Sequence, residues 1–332
     1  MLSREEQGYL FALTRSMWPC TGHVVEMGPW LGGSTACLAA GMAENPARGK
    51  WKLHTFDSFV WDDFMVRPGT PALHPGDSFE SSFRENISPW RSIVDIHVAR
   101  LPDELTSYDR EADTIRRRVS KQLPLLSWRV GDPVDILFVD GAKSWTGMRF
   151  LLGQVAESLR PDARIVFQDY KYWASYWVPA TAELLSDHIE ISNILRNNTV
   201  TFVVKKPIPA SRIEAIPEWN TLDADQVLMW IDAASERLRQ AGDILGAMIV
   251  YLGGVRLLRH KGQDAAAVER FQRVEALWPL SGEDGNLTRA RTFLESESSA
   301  RIRPTARTHV RGGFLRCARL LRRIWAATFE EA

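Results

Sequence analysis

Over its first two hundred residues the chain alternates short apolar runs with longer amphipathic stretches. His23-Val24-Val25-Glu26-Met27 is such a run. It ends at a glycine-rich turn, Gly28-Pro29-Trp30-Leu31-Gly32-Gly33, and is followed by Ser34-Thr35 and the helix-forming Ala36–Ala40. That order predicts strand, tight turn and helix N-terminus, the first unit of a nucleotide-type α/β fold. A helix over 3–17 leads into it. Further strands are expected over 52–56, 93–98, 134–139 and 163–168. The run Val134-Asp135-Ile136-Leu137-Phe138-Val139-Asp140-Gly141 is the clearest; its near-continuous apolar character suits a buried central strand of a parallel sheet. Helices are expected near 79–87, 103–109, 114–121, 144–159 and 180–185. The runs 189–191 and 199–204, with no helix between them, predict an antiparallel hairpin at the sheet edge.

The pattern changes after Pro207-Ile208-Pro209 and Pro217. From Asp223 onward it is helical throughout, over 223–240, 243–260, 263–277 and 285–296. This divides the chain into an α/β domain over 1–206, a linker over 207–222, a helical region over 223–298 and a tail over 299–332. Residues 262–279, with small alanines, Phe271 and a closing Trp278-Pro279, resemble one tetratricopeptide-like helix pair. A single copy reads more simply as a helical bundle packed on the first domain.

Composition excludes several classes. Hydrophobic and charged contents of 45% and 25% are those of an ordinary globular protein. Lys plus Arg and Asp plus Glu both total 41, but the charge is uneven. Eight arginines lie between Arg301 and Ala332 against Glu330 and Glu331, leaving a mildly acidic body. Arg116, Arg117, Arg118 and Lys121 therefore read as a solvated helix face, not a nucleic-acid surface. Cys20, Cys37 and Cys317 have neither disulfide nor zinc spacing. The N-terminus lacks an apolar leader, and the longest apolar run, Leu245–Val255, is too short to span a bilayer. A cytoplasmic location is expected. The tail over 314–329 is amphipathic, with Arg316, Arg319 and Arg323 on one face. Docking on the protein itself or on a partner is a simpler use for it than membrane contact, and the helical region is a surface through which a second copy of the chain or a partner protein would bind.

Candidate chemistry gathers at the carboxyl ends of the expected strands, where open α/β sheets place ligands. Gly28 and Gly33 allow a tight turn and close approach. Ser34 and Thr35 fall where a helix takes its N-cap, whose N–H groups favour an anion. The turn is neither the dinucleotide pattern nor a P-loop. Asp57, beside Ser58, ends the second strand, where it binds ribose hydroxyls or simply caps a turn. Residues 60–78 form a loop long enough to be a lid or binding segment. Asp140 ends the fourth strand and Asp169 the fifth. Trp30, Trp61, Trp145, Trp173 and Trp177 line a pocket or pack the core.

Three motifs stand in order: Glu26-x-Gly28-x-x-x-Gly32-Gly33-Ser34-Thr35, then Phe56-Asp57-Ser58-Phe59, then Phe138-Val139-Asp140-Gly141 with Gln168-Asp169-Tyr170. Together they resemble the class I S-adenosylmethionine-dependent methyltransferases, most closely in look the macrocin-type sugar O-methyltransferases. The resemblance covers about residues 20–205. It implies a Rossmann-like fold with a mainly parallel seven-stranded sheet, and transfer of a methyl group to a hydroxyl of a sugar or other small polar acceptor. Gly28, Pro29, Gly33 and Ser34 would wrap the methionine end of S-adenosylmethionine, Glu26 would support that turn, Asp57 would take the ribose, and 60–78 would be the lid. Asp140 and Asp169 would hold Mg2+ beside the acceptor. Two departures bear on the metal: Gln168 stands where relatives carry an acid, and Lys143 follows Asp140 by three residues. Lys143 is then a proton acceptor, if burial lowers its pKa, or an ion-pair partner of Asp140 or Asp169. Two other readings stand beside this one: an α/β enzyme of altered chemistry, and a methyltransferase-like binding protein without turnover.

Overall fold

The computed structural model describes residues 2–62, 65–66, 68–103, 115–128, 132–277 and 285–301. Seven strands form one sheet: β1 (His23–Met27), β2 (Leu53–Asp57), β3 (Val94–Val98), β4 (Val134–Val139), β5 (Leu159–Phe167), β6 (Ile189–Ile194) and β7 (Val200–Val204). Their order is β3-β2-β1-β4-β5-β7-β6. The first five are parallel to one another, while β7 runs antiparallel to both β5 and β6. The expected hairpin thus forms, with its second strand lying inside the first. Strand β5 begins earlier than the Arg160-Pro161 signal suggests, because Leu159 already pairs with Val134.

Helices cover both faces. One face carries α1 (Arg4–Ala12), α2 (Gly33–Glu44) and α3 (Glu80–Asn86). Their core side chains, including Leu10, Leu38, Phe79 and Phe83, close over Val24, Ile136, Phe138 and Val166. A short α4 (Ile115–Ser120) precedes β4; the stretch 104–114, with most of the helix expected at 103–109, lies outside the described residues. On the opposite face, α5 (Trp145–Val155) and α6 (Trp177–Leu184) pack against Val25, Leu137, Val139, Ile165 and Phe167. The alternation along β4 explains this: Leu137 and Val139 point one way, Ile136 and Phe138 the other, and all six strand residues are buried. The one polar member, Asp135, is satisfied by Trp18 Nε1, Thr21 N, Thr21 Oγ1 and Gly22 N at 2.7–2.9 Å. It pins the entry of β1 to β4.

The helical region follows as α7 (Ala210–Glu214), α8 (Ala224–Gln240), α9 (Ile244–His260), α10 (Asp264–Leu277) and α11 (Gly285–Arg301). Helices α8, α9 and α10 are joined by three-residue turns, and α9 packs against both of its neighbours. Leu222, Val227, Ile231, Leu238, Val250 and Leu257 join the same hydrophobic cluster as β4, β5, α5 and α6. The stretch expected to link two domains is itself anchored, with Ile208, Ile213 and Ile216 buried. The structure accordingly draws one compact unit over Met1–Ala290 and a second over Arg291–Ala332. Of the second, residues 291–301 are described and are helical; the basic amphipathic tail lies outside the described residues. No helix among the described residues is long and apolar enough to cross a membrane.

A feature that periodicity did not disclose lies across β1, β2 and β3. His54 Nε2 is 3.0 Å from His23 Nδ1, and His54 Nδ1 is 3.1 Å from His97 Nε2. Lys52 N also donates to His23 Nδ1. His23 Nδ1 must therefore accept from His54 Nε2–H, which leaves His54 Nδ1 to accept from His97. The ladder is neutral at its centre. Burial, then the neighbouring His23 and His97, push the His54 pKa down to about 4, against a weaker pull from Asp95.

Two predictions follow from this architecture. His54 ionises near 6.5 when unfolded and near 4 when folded. Between those values the unfolded chain binds more protons, so this group's contribution is complete above about pH 6.5 and is lost as pH falls towards 4. The difference in denaturant-unfolding free energy between wild type and His54→Gln should therefore shrink from pH 7 to pH 4.5; a constant difference would contradict the ladder. The second concerns Gly28, whose φ is +88° and where a Cβ would lie 2.4 Å from Gly141 N. Gly28→Ala should lower stability by about 2–4 kcal/mol through backbone strain and collision, read as a fall in the thermal midpoint.

Candidate active site

The turn after β1 and the ends of β4 and β5 meet at one ledge. Met27 O accepts both Asp140 N and Gly141 N at 2.8 Å. A side chain at Gly28 or Gly141 would collide with the other's backbone. Gly28, Trp30 and Gly32 carry the left-handed torsions of the turn, φ +88°, +47° and +92°, with Gly32 N donating to Pro29 O. Gly32, rather than Ser34 or Thr35, is the N-cap of α2, and no side chain caps that helix. Ser34 and Thr35 sit inside its first turn. Gly33 is helical, and the space where its Cβ would stand is open to 4 Å. Its value is room beside the helix N-terminus, not unusual torsion.

Glu26 lies directly below this turn and is fully buried. Thr35 Oγ1 donates to its Oε2 at 2.6 Å, and Oε1 has no hydrogen-bond partner among the described residues. Burial raises its pKa to about 7, opposed by the nearby hydroxyls of Ser34, Thr35 and Thr55. A buried carboxylate with one unused oxygen is costly and is suited to a cationic ligand. The residues of the turn thus fit a cofactor that carries positive charge and a carboxylate, as S-adenosylmethionine does. The carboxylate would meet the uncapped N–H groups of α2.

Asp57 closes β2 as expected. Its Oδ1 accepts Phe59 N at 2.8 Å and Ser58 Oγ at 3.4 Å, so it holds the turn in which Phe59 adopts φ +50°. The capping role is present whether or not the same carboxylate also takes a ribose. The long loop opens and closes at an antiparallel bridge between Val60 and Ser78.

Asp140, Lys143 and Asp169 come together. Lys143 Nζ donates to Asp140 Oδ1 at 2.6 Å and also to Asp169 Oδ2. The side chain of Lys143 is 53% exposed, while those of Asp140 and Asp169 are 29% and 21%. Val139, Ala142, Ser175 and Val178 complete the small recess. This geometry corrects one expectation: burial works to lower the Lys143 pKa, but the two carboxylates outweigh it and raise it. That favours the ion-pair role over the proton-acceptor role among the two expected of Lys143. Asp140 is shifted upward by burial and by Asp169, with Lys143 opposing. It is the carboxylate better placed to accept a proton. Among the described residues no three His, Cys, Asp or Glu side chains converge as a metal site.

The tryptophans serve mainly as core. Trp61 and Trp145 are fully buried, and Trp173 and Trp177 nearly so. Trp145 Nε1 donates to Pro217 O and Trp177 Nε1 to Ala142 O; Trp30 alone of the five is half-buried. Sequence reasoning also missed Lys171. It is 2% exposed, donates to Leu195 O and Asp243 Oδ2, and ties the segment after Asp169 to the start of α9. A lone Lys four residues beyond a strand carries no signal of that partner 72 positions away.

A family model described as a methyltransferase domain matches residues 25–170. No curated protein sequence matches significantly. Among solved structures, the chain is similar to the O-methyltransferase TomG of Streptomyces achromogenes, solved with S-adenosylmethionine, at 17% identity and TM-score 0.40. That match covers 62% of this chain and 82% of the other. An O-methyltransferase of Bacillus cereus solved with S-adenosylhomocysteine matches at 14% identity and TM-score 0.39, covering 62% and 83%. The TDP-rhamnose 3′-O-methyltransferase CalS11 matches at 12% and 0.40, covering 61% and 81%. Residues 25–170, the stretch that carries β1 to β5, are thus the part of the chain that resembles a methyltransferase domain, and the sheet they enter is the mainly parallel, seven-stranded one expected.

Proposed function

We propose that the protein transfers the methyl group of S-adenosylmethionine to a hydroxyl of a sugar or other small polar acceptor. The observation that carries this reading is the shared ledge. A buried carboxylate with an unused oxygen lies below the glycine turn, and a carboxylate–ammonium–carboxylate cluster stands one residue beyond the β4 end that touches it. When bound, the cofactor supplies an already activated methyl group. The chain has only to bind, align and deprotonate.

In this reading Glu26 faces the cofactor's positive charge, the first turn of α2 takes its carboxylate, and Asp57 takes the ribose. Gly28, Pro29, Gly33 and Ser34 shape the wall beside it. The acceptor enters the recess at Val139, Ala142, Ser175 and Val178. Lys143 donates a hydrogen bond to the acceptor oxygen, and Asp140 accepts its proton. Asp169 holds Lys143 in place. Residues 60–78 close over the site. The half-exposed cluster, charged and small, favours a polar acceptor over an apolar one. A location in the cytoplasm and a role in glycan or secondary-metabolite synthesis fit such chemistry.

Calorimetric titration with S-adenosylmethionine tests the cofactor half. Asp57→Ala should weaken binding about tenfold or more, since hydrogen bonds to charged groups contribute about 1.5–3 kcal/mol. Unchanged affinity would remove Asp57 from the site. Glu26 gives a sharper readout. Its pKa of about 7 means that the cation-binding form is lost as pH falls. Affinity should therefore drop by up to about tenfold per pH unit below 7, and Glu26→Gln should be weak but pH-independent over that range. Methyl transfer by wild type, lost in Asp140→Asn with cofactor affinity retained, completes the test.

A further inference from the structure

Two carboxylates at the ends of adjacent strands would ordinarily call for a cation between them, and here the chain supplies one of its own. Lys143 Nζ bonds to both Asp140 and Asp169. We propose that the Lys143 ammonium is this domain's permanent substitute for a bound divalent cation, so that the reaction centre is metal-independent by construction.

The donor set is the first argument. Mg2+ demands near-octahedral oxygen ligands and is commonly held by carboxylates plus waters. Asp140 and Asp169 are the carboxylates present. The neighbour that follows Asp169 cannot join them: Tyr170 is 1% exposed and packs its ring against Phe167 and Phe202. On the other side, position 168 is a neutral Gln.

Tethering is the second argument. Lys143 lies three residues beyond Asp140 on a turn closed by Lys143 N donating to Gly141 O at 3.0 Å. Ala142 O, in the same turn, is fixed by Trp177 Nε1 at 2.9 Å. The ammonium is thus delivered by a braced segment and not by a swinging side chain alone. A metal would have to expel it, breaking two charge-assisted hydrogen bonds that are individually stronger than neutral ones.

Charge and donor count supply the third. One ammonium between two carboxylates leaves the cluster at −1, whereas a divalent cation would leave it neutral. The residual negative charge suits a centre that must take a proton. An ammonium has three N–H groups; two are used by Asp140 and Asp169, and one remains for an oxygen of the ligand. Only this last clause rests on the methyl-transfer reading.

The experiment compares cation response in the full-length protein. After dialysis against EDTA, wild type and variants are titrated with MnCl2 by calorimetry and melted with and without millimolar MgCl2. Wild type and Lys143→Arg should show no cation-dependent rise in thermal midpoint. Lys143→Met leaves the two carboxylates facing each other without a counter-ion. It should gain several degrees with MgCl2 and bind Mn2+ at least about tenfold more tightly than wild type, about 1.4 kcal/mol. The gain should vanish in Asp140→Asn/Lys143→Met. Should Lys143→Met fold poorly, Lys143→Gln carries the same comparison. Wild-type binding of Mn2+ that is lost in Asp140→Asn would overturn the proposal. So would the absence of any cation response in both Lys143→Met and Lys143→Gln. Titration of the same samples with S-adenosylmethionine keeps the two readings apart: a wild type that binds no cofactor would end the methyl-transfer reading, while the cation comparison would still decide this one.

Discussion

The structure depends on a single close approach. Gly28 and Gly141, at the ends of β1 and β4, touch backbone to backbone with no room for a Cβ on either. Because of this contact the two strands finish flush, and Met27 O can bind both Asp140 N and Gly141 N. The glycine turn and the Asp140–Lys143–Asp169 cluster therefore begin at the same height on the sheet. Glu26 is two residues before the contact on one strand, and Asp140 is immediately before it on the other. A single extra methyl group would separate the two halves of the site.

Around that contact, charge is held at two depths, with Glu26 fully buried and the Lys143 cluster half-exposed. Glu26 stays buried with one oxygen unused, a state tolerable because its pKa rises to about 7. Asp140 and Asp169 are close enough to repel, and Lys143 resolves the repulsion. Each arrangement is one that an isolated strand–turn–helix would not keep, since an unpartnered buried charge costs several kcal/mol. It persists because the sheet and its helices leave no alternative packing.

The helical region contributes to this constraint. Buried Lys171 joins the segment after β5 to Asp243, which in turn caps α9 through Gly246 N. Arg256 donates to Ala174 O and stands over the Trp177 ring, and Tyr176 Oη lies 3.2 Å from His260 Nδ1. Helix α9 thus holds the 171–177 segment, whose Trp177 fixes the turn that carries Lys143. A region whose sequence reads as separate is packed into the same core as the strands that carry the acids.

The sequence alone determined the strands, the helices and the order of the motifs. These follow from local causes: apolar runs that fit buried parallel strands, amphipathic periods that fit helices, and glycines where the turns bend. Glu26, Asp57, Asp140 and Asp169 were legible because polar residues that end apolar runs fall at the ligand-binding edge of such a sheet. What the pattern cannot carry is which distant groups meet. The His23–His54–His97 ladder, the Asp135 anchor and the Lys171–Asp243 pair all join positions far apart in the chain, and nothing local marks them. The tryptophans were ambiguous for the same reason, since the residue type suits core and pocket equally. For Lys143 the choice between proton acceptor and fixed cation depended on whether one or two carboxylates reached it. Only the alignment of β4 beside β5 decided that, because the second carboxylate, Asp169, comes from the neighbouring strand.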